Sequence, residues 1–391
     1  MSAARIYAMH LINVKTPIIC HICNFKPESG GSFIDSLLHL SQDCRNNMQV
    51  GTFCIFPEDA RGRKWVKKFD DAVIPYGFVP MKKDISSHVN LLLHDFNPLV
   101  FHTHFSFYDL SAIRLKLLLY RDSKVVWHYH SPIGQTIKQR LRNVLKIKLA
   151  FRFWGDRCVA VGNGVYQSLL DSGVSSENAV LVPNGISTSR FVCNIGKNDD
   201  RNNALGLSKQ HTVFLLLGWD PIRKGVDIFI KAAEEAIGNN DMSGVFLIIG
   251  RTETKNFVLD ALPNSSLQHD LRVIDPVEDF SLLLRNVDVL VSASRREGLP
   301  YAVLEAMAAG KLILSSDIHS VRETYGKSKG VWLFPTEDWK ALSGLMRRAA
   351  QLSSIKQKSL GEANTQYVLD HHSLDRWAEK IGALYRELLN N

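Results

Sequence analysis

Continuous apolar runs alternate with helical patterns along the chain, and this alternation limits the possible folds more than any other feature. The runs are TPIICHIC, MQVGTFCIF, LVFHTHF, KVVWHYH, CVAVG and AVLVP in the first half, then HTVFLLLG, GVFLIIG, LRVID, DVLVSAS and KLILSS. A strand that is apolar on both faces must be covered on both faces, which is typical of a parallel sheet between layers of helices. The two sets of runs therefore predict an α/β chain with two doubly wound domains.

The chain is long enough for two such domains. It has 391 residues, and a domain commonly takes about 150. The polar stretch GKNDDRNNALGLSKQ, residues 196–210, has the composition of a linker. We therefore predict a first domain over residues 1–195, a second over 196–372 and a closing helix over 373–391.

Targeting and membrane-spanning segments are not evident in the sequence. The chain has no run of about 18 apolar residues, the length that a spanning helix needs, and the N-terminal stretch IYAMHLINV is too short and interrupted for a signal peptide. These features predict a cytoplasmic chain. The six cysteines mostly lie in apolar runs, as buried free thiols do. The pair in CHIC has no second pair at metal-ligand spacing, so it indicates neither zinc binding nor redox chemistry.

Two glutamates follow the strand-like run DVLVSAS. Glu297 lies on the loop after the run, and Glu305 lies about one and a half turns into a helix predicted over residues 301–309. In an open parallel sheet, a strand's carboxyl end and the next helix start border the ligand crevice, where free N–H groups favour an anion. Carboxylates there can accept hydrogen bonds from sugar hydroxyls, which suits a nucleotide sugar. The alternative is that both glutamates are ordinary surface charges.

The run EGLPYAVLEAMAAGKLIL around these glutamates closely resembles the signature of the retaining glycosyltransferases of family 4, which have the GT-B fold. PNGI resembles the family's passage to its second domain, and HSLDRWAEKIGALYRELL resembles its closing helix. The resemblance extends from about Thr16 to the C-terminus. It implies two Rossmann-like domains that face each other across a cleft. The first would bind the acceptor and the second the nucleotide sugar, with the closing helix packed back on the first.

The resemblance also implies roles for residues at the start of this helix. Glu297 would bind hydroxyls of the donor sugar, and Glu305 would bind those of the ribose. The residues expected near the phosphates are Gly298, Leu299, Pro300 and Tyr301. In the first domain, the glycine pair Gly30 and Gly31 of the loop NFKPESGGSF would face the donor diphosphate. Taken alone, a glycine pair indicates only a close turn.

Two basic residues follow the run HTVFLLLG. Arg223 and Lys224 would place positive charge where phosphates lie, and this would stabilise a departing nucleoside diphosphate. An ordinary surface pair is the alternative. In the family, an arginine usually follows the glycine of this strand and a lysine comes a few residues later. Lys224 matches the lysine, whereas Trp219 occupies the position of the arginine, and Arg223 is the candidate substitute.

His130 ends the run KVVWHYH and is expected to emerge at the crevice. Family members carry a histidine at the matching strand end, so the resemblance assigns His130 to orienting the sugar at the reaction centre. A structural role is the more usual one for a lone histidine. His102, His104 and His128 are further candidates, and alternate residues share one face of a strand. HTH and HYH do not by themselves give a closed coordination shell, and no metal site is predicted.

These patterns predict a retaining, metal-independent transferase of the hexosyl type. It would move a sugar from a nucleoside-diphosphate sugar to a saccharide or lipid-linked acceptor, in the synthesis of cell-surface polysaccharide or glycan. No cofactor is expected, since the donor is a substrate. A UDP-sugar is the working choice of donor, although the residues do not distinguish the bases. The alternative is a non-catalytic GT-B nucleotide-sugar-binding protein or partner subunit, which Trp219 keeps open. A dinucleotide-binding oxidoreductase is not favoured, because ESGGSF lacks the G-x-G-x-x-G pattern.

Positive charge is concentrated in the first half of the chain. Residues 1–190 carry 23 basic and 14 acidic side chains, whereas residues 191–391 carry 24 and 25. Much of the excess lies in residues 135–157, where basic residues interleave with an apolar series; the series is Ile137, Leu141, Leu145 and Leu149. Such a helix could lie on an anionic membrane surface, or its apolar stripe could face the domain core. No aromatic stacking pattern accompanies the charge, so nucleic acid is not an expected partner.

Overall fold

The computed structural model describes residues 15–134, 137–192, 211–238, 242–262 and 266–390. The chain divides into two compact units. The first unit combines Met1–Gly185 with Asp375–Asn391, and the second is Ile186–Leu374. The division comes after Gly185, earlier than the boundary predicted at residue 195, and the predicted linker 196–210 lies outside the described residues.

The first unit contains a seven-stranded parallel sheet with the order β3-β2-β1-β4-β5-β6-β7. Its strands are β1 (Thr16–Cys23), β2 (Gly51–Pro57), β3 (Tyr76–Val79), β4 (Phe96–His104), β5 (Lys124–Tyr129), β6 (Arg157–Ala160) and β7 (Ala179–Leu181). Its α-helices are α1 (Gly31–Asp43), α2 (Lys67–Asp71), α3 (Ser86–Leu92), α4 (Asp109–Leu118), α5 (Ile137–Lys146), α6 (Arg152–Trp154) and α7 (Asn163–Asp171). Short 3-10 helices at Glu58–Ala60 and Lys64–Val66 and π-helices at Cys44–Met48 and Ile147–Phe151 complete it.

The second unit contains a six-stranded parallel sheet with the order β10-β9-β8-β11-β12-β13. Its strands are β8 (Thr212–Leu217), β9 (Gly244–Ile249), β10 (Leu271–Ile274), β11 (Val289–Ser292), β12 (Leu312–Ser316) and β13 (Val331–Phe334). Its α-helices are α8 (Ser189–Val192), α9 (Pro221–Lys224), α10 (Val226–Ile237), α11 (Thr252–Ala261), α12 (Phe280–Arg285), α13 (Tyr301–Ala308), α14 (His319–Tyr325), α15 (Trp339–Ala350) and α16 (Ser354–His371), with a 3-10 helix at Ser266–His269. The last helix, α17 (Leu374–Asn390), belongs to the first unit from Asp375 onward.

The predicted α/β architecture is confirmed, because every apolar run read as a strand forms one. Two edge strands, β3 and β13, were missed. Each is four residues long, and only two of its four residues are buried, so YGFV and VWLF are too short to stand out as apolar runs. At a sheet edge, pairing is available on one side alone, and a short strand suffices there.

The closing helix α17 completes the core of the first unit. Its buried residues are Trp377, Ala378, Ile381, Leu384, Tyr385 and Leu388, which cluster with Ile19, Val100, Val126 and Val159 of the sheet. Burial of such apolar surface is the main source of stability in a domain, at roughly 25 cal/mol per Å². Within the described residues, none of the helices combines the length and the apolar character needed to cross a bilayer.

Both sheets reverse their strand order near the middle, and most of the candidate site residues follow the strands at these two reversals. The reversal lies between β1 and β4 in the first sheet and between β8 and β11 in the second. In open parallel sheets, ligands bind beyond the carboxyl ends of the strands at such a switch point. The loops that follow these four strands are therefore the places to look for a site.

Candidate functional site

In the second unit, two loops meet at the switch point. The loop after β8 carries Trp219 and leads into α9, and the loop after β11 carries Ser294 and Glu297. β8 and β11 are paired in parallel, so both loops leave the same edge of the sheet. A backbone hydrogen bond from the Arg295 amide to the Arg223 carbonyl, 2.9 Å long, joins the two loops directly.

Gly225 permits this close approach. Its φ of 71° lies in the left-handed region, where residues with a Cβ are strained. A Cβ at this position would also overlap the backbone carbonyl of Ala293. Gly225 thus ends α9, starts α10 and lets the Lys224 side chain lie beside the loop that follows β11.

Glu297 is the centre of the charged groups at this edge. Its Oε1 atom accepts hydrogen bonds from Lys224 Nζ at 2.5 Å, from Ser294 Oγ at 2.9 Å and from Arg223 Nη1 at 3.3 Å. The Glu297 side chain is only 10% exposed. Its Oε2 atom makes no hydrogen bond within the part of the chain that the structure describes. We call these four residues the Glu297 cluster.

Burial sets the electrostatics of Lys224. Burial lowers the pKa of the Lys224 ammonium below its usual value, while the Glu297 carboxylate opposes this decrease in pKa. A buried ammonium is costly unless it is paired, and the Glu297 carboxylate supplies the partner. Asp220 also pairs with Arg223 at 2.9 Å, so the two cations face two carboxylates at this edge.

Arg223 is held by groups on several sides. Its Nε donates to Asp220 Oδ2 at 2.9 Å, and its guanidinium lies over the indole ring of Trp219, 4.4 Å from the centroid. The Lys224 ammonium lies 5.0 Å from the same ring. Trp219 itself is 54% exposed. Trp219 occupies the position of the family's usual arginine. It therefore orients Arg223, the residue that we expect to substitute for that arginine.

Three supporting residues were missed by sequence reasoning. Arg295 pairs with Asp227 at 2.8 and 2.9 Å and also with Glu337, and these partners raise the pKa of its guanidinium. Arg295 also donates to the carbonyl of Ile222 in α9. The Ser294 hydroxyl donates to the Glu297 carboxylate, and the Ser320 hydroxyl donates to the backbone carbonyl of Glu297 at 3.1 Å. The double arginine after SAS was the available signal for Arg295, but its partners are distant in sequence.

The remaining predicted residues of this unit lie along the same loop and helix. Gly298 and Leu299 are buried, Pro300 is the N-cap of α13, and Tyr301 begins the helix. Glu305 lies inside α13 and is 7% exposed, so the alternative of an ordinary surface charge is wrong for it. The structure therefore brings Arg223, Lys224 and Glu297 into direct contact and places residues 298–305 immediately after them.

In the first unit, the glycine loop follows β1. Gly30 lacks space for a side chain, since a Cβ there would lie 2.8 Å from the Cβ of Trp65. Gly31 has open space around it but a φ of 51°, which favours glycine. The two glycines thus serve different purposes in the turn that starts α1 at the carboxyl edge of the sheet.

His130 lies at the end of β5 and belongs to a row of five histidines on β1, β4 and β5. The histidine row consists of His21, His102, His104, His128 and His130. His104 lies centrally, with its Nε2 3.2 Å from His21 Nδ1 and its Nδ1 3.2 Å from His130 Nε2. His102 lies 3.2 Å from His128 through ring nitrogens and 2.5 Å from the hydroxyl of Tyr385 in α17.

Burial keeps the histidine row neutral at ordinary pH. It lowers the pKa of His21 and of His130 to about 3. The pKa values of His102, His104 and His128 are also held well below the usual range, first by burial and then by the neighbouring imidazoles. His130 is half-buried whereas the other four are buried. The row thus leads from the core to the carboxyl edge of the sheet.

The ring nitrogens of this row are close enough to be compared with a metal site. Nitrogens of His21, His102 and His104 lie within 4.8 Å of one another, as do those of His104, His128 and His130. Reasoning on HTH and HYH one strand at a time missed this, because the pairing of β1, β4 and β5 brings the groups together. Each of the five imidazoles pairs with a neighbour through at least one ring nitrogen. Among the described residues, the second ring nitrogen of His21, His128 and His130 has no hydrogen-bond partner. We describe the row as a hydrogen-bonded network and assign no metal to it.

Two family models match the chain. The model for "Glycosyl transferases group 1" matches residues 197–367, and that for "Glycosyltransferase Family 4" matches residues 44–190. Together they account for most of both units. The curated relatives match in shorter stretches.

One relative is the UDP-Gal:alpha-D-GlcNAc-diphosphoundecaprenol alpha-1,3-galactosyltransferase of Escherichia coli, 31% identical over 141 residues, which are 36% of each chain. Another is the lipopolysaccharide core biosynthesis mannosyltransferase LpcC of Rhizobium leguminosarum, 26% identical over 202 residues, which are 49% of this chain and 55% of that one. The match thus spans about a third of the first relative and about half of the second.

The fold resembles that of a solved glycosyltransferase from Rickettsia africae, with a TM-score of 0.79 over 96% of this chain and 99% of that one, at 17% sequence identity. HepE of Anabaena, solved in complex with UDP-glucose, superposes with a TM-score of 0.79 over 94% of this chain and 100% of its own, at 12% sequence identity. This likeness shows the GT-B fold. The two family models, which match most of both units, show that the chain is a glycosyltransferase of the family 4 type.

Proposed function

We propose that this protein is a retaining glycosyltransferase that uses a nucleoside-diphosphate sugar, with a UDP-sugar as the donor. The observation that carries the proposal is the Glu297 cluster, which joins a carboxylate, two cations and a helix start at the switch point of the second sheet. Family membership and the UDP-glucose complex of a structural relative support the choice of donor class.

The donor's diphosphate is proposed to bind at Lys224 and Arg223. Positive side chains fixed in place before the reaction stabilise the charge that develops on a leaving group, and they do so without reorganisation. The amides at the start of α13, from Leu299 and Tyr301 onward, add further donors near the phosphates. Pro300 offers none, because it has no N–H. We propose that these groups bind the diphosphate without a metal ion.

Glu297 is proposed to position the donor sugar. Its Oε1 is occupied by Lys224, Arg223 and Ser294, so the sugar hydroxyls would bind at Oε2. A hydrogen bond to a charged group contributes about 1.5 to 3 kcal/mol. Glu305, deeper in the helix, is proposed to bind the ribose hydroxyls. The cations thus have two tasks, which are fixing Glu297 and neutralising the phosphate.

His130 and the glycine pair are the proposed contributions of the first unit. His130 would orient the transferred sugar as a neutral imidazole, because burial lowers its pKa to about 3. A neutral ring can both donate and accept a hydrogen bond, which suits a sugar hydroxyl. Gly30 and Gly31 would let the backbone approach the diphosphate closely.

The reaction is proposed to proceed on one face of the sugar. The bond between the anomeric carbon and the diphosphate oxygen breaks, and a bond from the anomeric carbon to the acceptor oxygen forms on the same side. The acceptor's hydroxyl proton passes to the leaving phosphate oxygen. This sequence needs no protein nucleophile, and the configuration at the anomeric carbon is retained.

We propose a lipid-linked saccharide as the acceptor, in the synthesis of cell-surface polysaccharide or glycan at the inner face of a membrane. Two relatives support this choice of acceptor. As their names state, the E. coli relative acts on a GlcNAc-diphosphoundecaprenol acceptor, and LpcC acts in lipopolysaccharide core biosynthesis. The non-catalytic alternative is not supported, since these relatives are transferases. Trp219, which kept it open, holds Arg223 in the cluster instead.

The test is release of UDP by the purified full chain. The donors would be UDP-glucose, UDP-galactose, UDP-GlcNAc and UDP-GalNAc, with GDP-mannose for comparison. GlcNAc-diphosphoundecaprenol and a bacterial lipid extract would serve as acceptors. We expect turnover with one UDP-sugar, loss of turnover in Glu297→Gln, and unchanged turnover in Glu362→Gln, whose side chain is 67% exposed.

Nucleotide binding is measured in parallel by thermal unfolding. A ligand at about 100 times its Kd stabilises the native state by about 2.7 kcal/mol. Stabilisation by UDP without turnover on any acceptor would favour the binding-protein alternative. If no nucleotide stabilises the chain and no donor is consumed, the proposal fails. The configuration of the product, read by NMR, tests retention separately.

A further inference from the structure

The helical segment that follows β5 exposes a row of large apolar side chains. It runs from α5 through the π-helix Ile147–Phe151 to α6, and we call it the segment 137–154. The exposed fractions are Ile137 82%, Leu141 60%, Leu145 56%, Leu149 63%, Phe153 66% and Trp154 38%. The alternative in which this stripe faces the domain core is therefore wrong.

The row keeps to one side of the helix. Side chains four residues apart are neighbours on an α-helix, and the row turns slowly about the axis because four residues exceed one turn. A π-helix takes more residues per turn, so the π-helical stretch Ile147–Phe151 turns the row back in the opposite direction. Leu149 and Phe153 thus continue the series that Ile137 begins.

The other side of the segment fixes it to the first unit. Ile147 is fully buried and Phe151 is 2% exposed, the latter against Trp127 with ring centroids 5.0 Å apart. The Lys146 side chain points inward, and its ammonium pairs with the Asp109 carboxylate at 2.7 Å, with the two side chains 9% and 1% exposed. The exposed row is therefore the outer side of a firmly packed helix and does not result from a loosely attached one.

The charged residues of the segment 137–154 are all basic. Lys138, Arg140, Arg142, Lys148 and Arg152 are exposed, and the segment 137–154 contains no acidic residue. An apolar row with basic flanks matches the chemistry of an anionic bilayer surface, where apolar side chains enter the acyl boundary and basic ones meet the head groups. Aromatic residues at one end, here Phe153 and Trp154, suit the interface between head groups and chains.

We propose that the segment 137–154 docks the protein on a bilayer that contains anionic lipid. A second copy of the chain fits this surface less well, because a symmetric contact sets each patch against its own equivalent. The five basic residues would then face the same five, which is repulsive. The segment begins shortly after His130, so docking brings the carboxyl edge of the first sheet close to the head groups.

The experiment is flotation of the full chain with lipid vesicles. One set would contain phosphatidylcholine alone, and the other equal parts of phosphatidylcholine and phosphatidylglycerol. The test variant is Leu141→Gln, Leu145→Gln, Leu149→Gln. The matched control is Leu259→Gln, Leu282→Gln, Ile355→Gln, which removes three apolar side chains that are 72%, 49% and 81% exposed in the second unit. Thermal unfolding of each variant confirms that it is folded.

We expect binding of the wild-type chain and the control to anionic vesicles, weaker binding at high salt, and at least about a tenfold loss of partitioning in the test variant. Binding of the test variant like the wild type overturns the proposal, as does equal binding of the wild type to both vesicle sets. A wild-type dimer that the test variant converts to a monomer, without vesicle binding, also overturns it and assigns the surface to a second copy. The assay uses no nucleotide, so its outcome is independent of the proposed reaction.

Discussion

The two units place chemically opposite groups at the same position in their sheets. At the switch point of the first unit lies the histidine row, whose pKa values are lowered by burial. At that of the second lies the Glu297 cluster, which keeps its charges through direct pairing. The same topology thus supports a neutral network and an ionic one. Topology defines where a ligand can bind, and the side chains define which kind of ligand it is.

The difference follows from how each unit meets the cost of burying polar groups. An imidazole can be buried as its neutral form, which costs less than burying a charge. Within the row, His102 and His104 satisfy both ring nitrogens with neighbouring side chains. Arginine has no neutral form near pH 7, and burial opposes the charge of Lys224, so the second unit supplies Asp220 and Glu297 as partners. We therefore expect the anionic part of the donor at the second unit and uncharged hydroxyls at the first.

The largest expected difference between the two units is in their stability to acid, which should be lower for the first unit. A histidine whose folded pKa lies below its unfolded value of about 6.5 contributes full stability above pH 6.5, and that stability is lost as the pH falls toward the folded pKa. Each pH unit costs about 1.4 kcal/mol per histidine. His21 and His130, each with a folded pKa of about 3, together should therefore cost the first unit roughly 4 kcal/mol at about pH 5. Hydrogen exchange of peptides from β1 and β4, compared with β8 and β11 and corrected for intrinsic rates, measures the loss.

The matched variant for this prediction is His21→Asn, which takes up no proton. It should lower the stability at pH 7 but make the first unit less sensitive to acid than the wild type. Equal protection of β1 and β4 at both pH values would show that the row does not control acid stability.

Removing the buried cation from the second unit should give the next largest effect. Lys224→Met keeps the bulk of the side chain but leaves Glu297 and the diphosphate with one cation fewer. We expect kcat to fall by about 10² to 10³ with little change in fold. Lys358→Met, at a side chain that is 75% exposed, is the control. A Lys224 variant with wild-type kcat would remove the lysine from the proposed chemistry.

Gly225→Ala should destabilise the second unit by at least about 2 kcal/mol, because the Cβ adds strain at positive φ and overlaps the Ala293 carbonyl. Gly344→Ala is the contrasting control, since a Cβ at that helical position meets nothing within 4 Å. It should stabilise by about 0.5 to 1 kcal/mol. Denaturant unfolding measures both. A neutral Gly225→Ala would mean that the two loops do not depend on this close approach.

The smallest effect is expected at Trp219. Its ring contributes about 0.5 to 1 kcal/mol to holding Arg223, as exposed cation–π contacts do. Trp219→Ala should therefore raise the KM for the donor about two- to fivefold, and Trp219→Phe should raise it less. Steady-state kinetics on the identified donor separates KM from kcat. An unchanged KM in Trp219→Ala would show that the indole does not position Arg223.

The sequence predicted the elements on which the candidate residues lie better than it predicted their contacts. Apolar runs fixed the strands, so Glu297 was correctly placed on a loop and Glu305 inside a helix. The ion pair of Glu297 with Lys224 joins residues that are 73 positions apart, and no local pattern encodes it. The histidine row was seen as two short motifs, because His21 joins them only through the pairing of β1 with β4.

The segment 137–154 shows the same division. Spacing four residues apart predicted an amphipathic helix but left its orientation open. The orientation of the helix depends on which of its sides finds partners in other elements. Here Lys146 pairs with Asp109, and Phe151 packs against Trp127. The apolar row was consequently left outside.

By itself, the sequence determined the α/β class, the two sheets, and the residue types at their strand ends, because periodicity and turn chemistry act over a few neighbouring residues. The tertiary structure alone decided which of those residues are charged, which are neutral and which are exposed. These properties depend on burial and on partners brought from distant parts of the chain, and strand pairing at the two switch points supplies both.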